Sequence, residues 1–251
     1  MKKFPIGVQP YTIREALAKD YVGALTRVAE IGYKGVEIGP PPEGMSVDSQ
    51  KQLLDRLGLY VVGCHAGFDT LAFEVDRLAD YLEQVDGGRY VTISLRFASK
   101  ADVLEKAKRM NEIGEMFRRR GVTFLYHNHD WEFEKFEGES AMDLLLAHTD
   151  PELVKTEMDT YWIAKGGEDP VAYLSKLKGR APRLHLKDME AGEERFFAEI
   201  GEGTLDFPKI ADVAADIGVE WMVVEQDASR LDPFESLRIS YENLKGMGFM
   251  A

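Results

Sequence analysis

The sequence predicts a single-domain (β/α)8 TIM barrel over residues 1–251, and three observations carry that expectation. Eight short β-branched runs alternate with eight longer amphipathic stretches. The length, 251 residues, suits one barrel of this kind. The two common nucleotide-binding versions of an open α/β sheet lack their fingerprints. No GxGxxG follows the first strand, and no GxxxxGK[ST] occurs. A doubly wound open sheet is the alternative.

The strand candidates are residues 4–9, 34–39, 59–65, 89–96, 122–127, 153–159, 183–188 and 221–226. They are short and rich in Val, Ile, Leu and Tyr, as strands buried on both faces should be. Between and after them lie helical patterns at 21–32, 46–58, 71–86, 100–121, 138–149, 169–179, 206–218 and 232–248. Many end in Gly just before the next strand, a C-terminal stop. Two open with Asp-Pro and one with Asp-Phe-Pro, which caps the first turn. The run FRRRG (117–121) reads as the exposed end of a long helix, where cations are favoured. The segment GEGTLDF (201–207) reads as a loop rather than a domain boundary.

Composition narrows the function. The formal net charge of −13 argues against a nucleic-acid or membrane surface, because phosphates demand clustered Lys and Arg. One cysteine, Cys64, allows no internal disulfide. The N-terminus has no apolar targeting segment, and no apolar run is long enough to span a bilayer. A cytoplasmic protein acting on a small molecule is expected, with oligomerisation left open.

In a barrel the active site lies at the C-terminal ends of the strands. Those ends form a polar series: Glu37, His65, Arg96, His127 and His129, Glu157 and Asp159, His185 and Lys187, then Glu225 and Asp227. Period-two alternation sets Val36 and Ile38 against Glu37, and Leu184 and Leu186 against His185 and Lys187. The polar set therefore faces inward, into a mouth. His127, Asp159, His185 and Glu225 fall on four consecutive strands. Such mixed nitrogen and oxygen donors suit one divalent ion, with Mn²⁺, Zn²⁺, Co²⁺ or Fe²⁺ preferred to Mg²⁺.

The motifs HAGF, YHNHDWEF, EMDTYW, LHLKD, IGEGTLDF and VEQD, in this order and one per strand, resemble the xylose-isomerase-like TIM-barrel superfamily of sugar phosphate isomerases and epimerases. The resemblance covers nearly the whole chain. It implies one metal held from strands five to eight, with Asp159, His185 and Glu225 matching three of the family's ligands. The fourth departs: where ketose epimerases have Glu at the end of strand five, this chain has His127. One of that family's two proton-exchanging glutamates is thereby missing. His129, Glu132 or Glu157 is then the candidate replacement, and His129, Glu132 or Glu134 an alternative metal ligand to His127.

The chemistry so implied is removal of a proton next to a carbonyl, with the metal stabilising charge on oxygen. Glu225 doubles as proton carrier, His129 is its partner on the other face, and Lys187 contacts a hydroxyl or carbonyl oxygen. Glu37, His65 and Arg96 fix substrate hydroxyls, and Trp162 forms an apolar wall. The leading expectation is a metal-dependent sugar isomerase or epimerase. A lyase or dehydratase on a keto-sugar or inositol-type substrate is the close competitor. An abasic-site endonuclease needs a basic face that this chain lacks. A non-catalytic sugar-binding barrel would bind no metal. No Gly-rich phosphate cradle stands out, so an unphosphorylated substrate is expected. Each residue also has a bland reading: Asp159 as a helix cap, Glu37 as a structural partner of Arg96, Trp162 as packing, and His148 as a helix-end surface residue.

Overall fold

A computed structural model describes residues 2–251. Eight parallel strands close into a barrel: β1 (Ile6–Val8), β2 (Gly35–Glu37), β3 (Tyr60–His65), β4 (Tyr90–Ile93), β5 (Thr123–His127), β6 (Val154–Asp159), β7 (Arg183–Leu186) and β8 (Trp221–Val224). β1 pairs with both β2 and β8, so the sheet has no edge. All eight strand expectations are met, and the open-sheet alternative falls.

Helices α1 (Arg14–Lys19), α2 (Tyr21–Ile31), α3 (Val47–Leu57), α4 (Leu71–Gln84), α5 (Lys100–Arg119), α6 (Ala141–His148), α7 (Thr160–Lys165), α8 (Pro170–Leu174), α9 (Phe207–Ile217) and α10 (Pro233–Met247) surround it. The Asp-Pro signals cap as the chemistry requires. Asp169 accepts from Ala172 N at 2.7 Å, and Asp232 from Phe234 N at 3.0 Å. Gly58, Gly218 and Gly248 end α3, α9 and α10 at positive φ, where a Cβ would be strained. The arginines after Phe117 pair outward: Arg118 and Arg119 with Glu115, Arg120 with Asp76 and Asp80. His148 ends α6 and is exposed.

The strand phase decides what faces the interior. Val36, Leu184 and Leu186 join the hydrophobic layer between strands and helices. Glu37, His185 and Lys187 turn into the barrel, each almost wholly buried. Apolar periodicity did not reveal the additions at the C-terminal end of the barrel, because they are too short to show a period. These are α1, α7 and two small hairpins, Lys135–Phe136 with Glu139–Ser140 and Asp188–Met189 with Phe197–Ala198. Asp188 organises the second. Its carboxylate accepts the backbone N–H groups of Met189, Gly201, Gly203 and Leu205 at 2.7–3.0 Å, which pins the GEGTLDF loop. No helix among the described residues is long and apolar enough to cross a membrane.

Candidate active site

Parallel register brings residues far apart in sequence to one level. Asp159 stands beside His185, and His127 beside Glu157. As a result His127, Asp159, His185 and Glu225 each present a donor atom within 4.8 Å of the others. A second set, Glu37, His65, Glu157 and His185, meets the same criterion, with His185 common to both.

The first set lies at the mouth. Asp159 is indeed a cap: one oxygen accepts Trp162 N at 2.9 Å and so starts α7. That leaves Oδ2 without a hydrogen bond, 3.1 Å from Lys187 Nζ. The backbone N–H of Asp159 donates to the Asn128 side chain at 2.9 Å, fixing the residue between β5 and β7. His127 and His129 each carry an unpartnered, buried Nδ1. Burial, followed by the nearby cations, keeps both imidazoles neutral, with His129 lowered to about 3. Burial pushes the Asp159 carboxyl up to about 6 despite Lys187. For Glu225 burial also disfavours ionisation, but Lys187 and His185 prevail and hold it at about 2. Lys187 is 1% exposed and reaches Glu225 and Asp227, each at 2.7 Å.

The second set lies deeper, around a guanidinium. Arg183 is fully buried, donates to Val62 O at 3.0 Å and Glu37, and pairs with Glu157 at 2.7 Å. Gly63 makes room for it at φ +150°. A Cβ there would collide with the guanidinium and lie 2.8 Å from Tyr90 O. Burial opposes the charge of Glu37, yet Arg183 and the imidazoles hold its carboxyl well below the usual range. Glu157 is likewise lowered by Arg183 against burial. His65 Nε2 lies 3.1 Å from Glu157, and burial's effect is outweighed by Glu37, so its pKa rises to about 9. His185 links the two sets: Nε2 meets Glu37 at 2.8 Å and Nδ1 meets Glu225 at 3.0 Å.

These charges set the two sets apart. The deeper carboxylates already have a guanidinium and two imidazoles held toward protonation. The mouth has three carboxylates against the Lys187 ammonium and the shared His185, beside two neutral imidazoles, His127 and His129, whose Nδ1 atoms have no partner. The mouth donors therefore fit a divalent ion, and the deeper ones do not need one.

Several expectations change. Arg96 does not enter the mouth. It is exposed and stacks 3.8 Å over the Trp131 ring, because the chain leaves the barrel after Ile93. Its suggested partnership with Glu37 falls as well, since Arg183 holds that carboxylate. Glu37 is 2% exposed and engaged by protein groups, so it braces the imidazoles. Glu132 is turned away: it accepts Tyr126 OH at 2.6 Å and His129 N at 2.8 Å. Glu134 is exposed outside the mouth. His129 stacks on Trp131 at 3.9 Å and lies 5.3 Å from Trp162. Trp162 keeps an unpartnered, buried Nε1 and lies 5.5 Å from Lys187 Nζ.

The mouth encloses about 300 Å³, lined also by Gln9, Tyr11 and Ser94, which the sequence reading did not single out. Ser94 directly follows the end of β4, so strand phase does not place it. Arg183 shares the phase of His185, two residues on.

This closed barrel and its ring of strand-end donors define a class of (β/α)8 barrels with a candidate metal centre at the mouth. A family model described as "Xylose isomerase-like TIM barrel" matches residues 25–247, and the chain belongs to that family. An inosose dehydratase of Clostridium beijerinckii is 30% identical over 256 residues, covering 84% of each chain. A sugar phosphate isomerase/epimerase from Parabacteroides distasonis superposes with a TM-score of 0.85 at 24% identity, covering 100% of this chain and 96% of that one. The IOLI protein with a bound zinc atom superposes with a TM-score of 0.72 at 13% identity, covering 97% and 98%. These two structural likenesses show the shared fold.

Proposed function

We propose that the protein is a metal-dependent lyase that removes water from a cyclic polyhydroxy ketone of the inosose type. One observation carries this reading: the mouth pairs a carboxylate, Glu225, with an ammonium, Lys187, 2.7 Å apart. Elimination needs a base for the proton beside the carbonyl and a donor for the departing hydroxyl. A divalent ion held by His127, Asp159, His185 and Glu225 would supply Lewis-acid stabilisation of charge on the carbonyl oxygen. The zinc in the IOLI neighbour supports a metal of this kind.

Glu225, ionised at neutral pH, accepts the α-proton. The C–H electron pair becomes the new double bond as the β C–O bond breaks. The hydroxyl leaves with a proton from Lys187, and water is the product. The proton on Glu225 then returns across to Lys187 and restores both groups. Trp162 and the His129–Trp131 stack wall the ring, and His65 holds a hydroxyl. The inosose dehydratases among the relatives support this order of preference.

Isomerisation or epimerisation, placed first on sequence grounds, is the second reading. It rests on His129, whose unpartnered nitrogen is available to return the proton from another side. Incubation of the Mn²⁺-loaded enzyme with an inosose and a ketose panel in D₂O separates the two. Water loss with an unsaturated product supports the lyase. Deuterium in a recovered, rearranged sugar without water loss overturns it.

A further inference from the structure

A second cavity, about 420 Å³, opens beside the mouth and shares Gln9, Tyr11 and His65 with it as a partition. Its remaining walls are chiefly apolar and aromatic: Leu17 and Ala18 of α1, Tyr21 of α2, Ile38, Pro40 and Pro42. Those walls are preorganised. Residues 40–42 are three successive prolines, which hold an extended backbone. Gln50, fully buried, donates to Gly39 O at 3.1 Å and to Tyr21 OH at 2.6 Å, tying the proline run to α2. On the far side the Arg14 guanidinium covers the Tyr11 ring at 4.3 Å and donates to Tyr11 O and Asp227 O at 2.9 and 3.1 Å. Arg14 thus links the wall of this annex to the loop after β8 that carries Asp227.

The mouth alone has room for one six-membered polyol ring. A polar ring placed there would leave the annex open, although a rigid apolar concavity joined to a reaction site is where ligands gain affinity. The only carboxylate in its lining is Glu37, which Arg183 and the imidazoles already hold. The one guanidinium in the lining, Arg14, lies over the Tyr11 ring at the exposed rim, whereas a flat, uncharged ring would find tyrosine faces and proline rings throughout the annex.

We infer that the annex is a subsite for the aglycone of a glycoside: the oxidised sugar ring occupies the mouth and an aryl group occupies the annex. This rests on the reading of the mouth as a site for a cyclic polyhydroxy ketone and replaces the carbocyclic inosose, which has no anomeric carbon, with a keto-pyranose ring of the same size. The bond from sugar to aglycone would cross the partition, within reach of Gln9 and His65.

The test is calorimetric titration of the Mn²⁺-loaded full chain with methyl and phenyl β-D-glucopyranoside, neither of which carries the carbonyl needed for reaction. Burial of a phenyl ring predicts on the order of tenfold tighter binding of the phenyl glucoside. Ala18→Trp, at an exposed position outside the mouth, is expected to erase that preference. It should leave the methyl glucoside affinity and metal content within about twofold of wild type, a shift worth under ~0.5 kcal/mol. Leu17→Asp is a second variant with the same expected outcome. Equal affinities, failure of the phenyl glucoside to bind, or a preference that survives both variants overturns the subsite. Phenyl preference without turnover of any keto-sugar upholds the annex and overturns the reaction. Turnover with no phenyl preference does the reverse.

Discussion

The two donor clusters in this barrel look alike as lists of residues and differ as physical objects. Each holds carboxylates and imidazoles within ligand distance, and His185 belongs to both. In the deeper cluster a fully buried guanidinium supplies the positive charge, and its fork is fixed by Val62 O, Glu37 and Glu157. At the mouth the resident cation is a lysine on a flexible stem, with Asp227, 27% exposed, as a partner toward solvent. The neutral imidazoles there have nothing to bind. Donor count alone does not make a metal site. What decides is whether the protein has already balanced the charge with a group that cannot leave.

The largest expected effect tests the mouth directly. Asp159→Ala and His185→Ala should each lose bound metal and at least about 10³-fold in turnover, judged by elemental analysis beside activity. Glu157→Gln should keep one ion per chain. A wild-type chain that binds two ions would break the distinction between the clusters.

Arg183→Leu probes the deeper cluster. Leaving Glu37 and Glu157 buried without their cation should destabilise the fold by ~3–5 kcal/mol in urea unfolding. Adding Glu37→Gln and Glu157→Gln should recover much of that loss. No recovery would mean that the guanidinium acts through packing rather than charge.

How much of this was readable beforehand follows from the same residues. Period-two phase placed Glu37, His185 and Lys187 inside, and motif order placed Asp159 and Glu225 at one rim. Phase also contained Arg183, but an arginine at the start of a strand carries no mark of burial until Gly63 and the two glutamates surround it. Arg96 shows the opposite failure. Its phase was extrapolated beyond Ile93, where the strand had already ended, and alternation means nothing outside a strand.

Glu37→Gln tests the link between the clusters. Glu37 orients His185 through Nε2, so the variant should bind metal ~10–100-fold more weakly in chelator competition, with the fold retained. Unchanged affinity would separate the two clusters functionally.

The smallest effect concerns pH. His65, raised to about 9 by Glu37 and Glu157 over the opposing effect of burial, contributes stability that is complete below its unfolded pKa of about 6.5. His65 is exposed at the mouth, so solvent screening cuts that contribution to the order of 1 kcal/mol, and it should fade as pH rises through 9. His65→Asn should flatten the stability profile between those limits. A wild-type profile already flat there would mean that His65 is neutral.

By itself the sequence determined the barrel, the number and order of its strands, and which side chains turn inward, because these follow from local periodicity and capping chemistry. The tertiary structure decided which acids meet which cations, which nitrogens are left without partners, and that a rigid annex adjoins the mouth. Those facts depend on register between strands far apart in the chain, 148 residues for Glu37 and His185, and no local pattern encodes a distance of that kind.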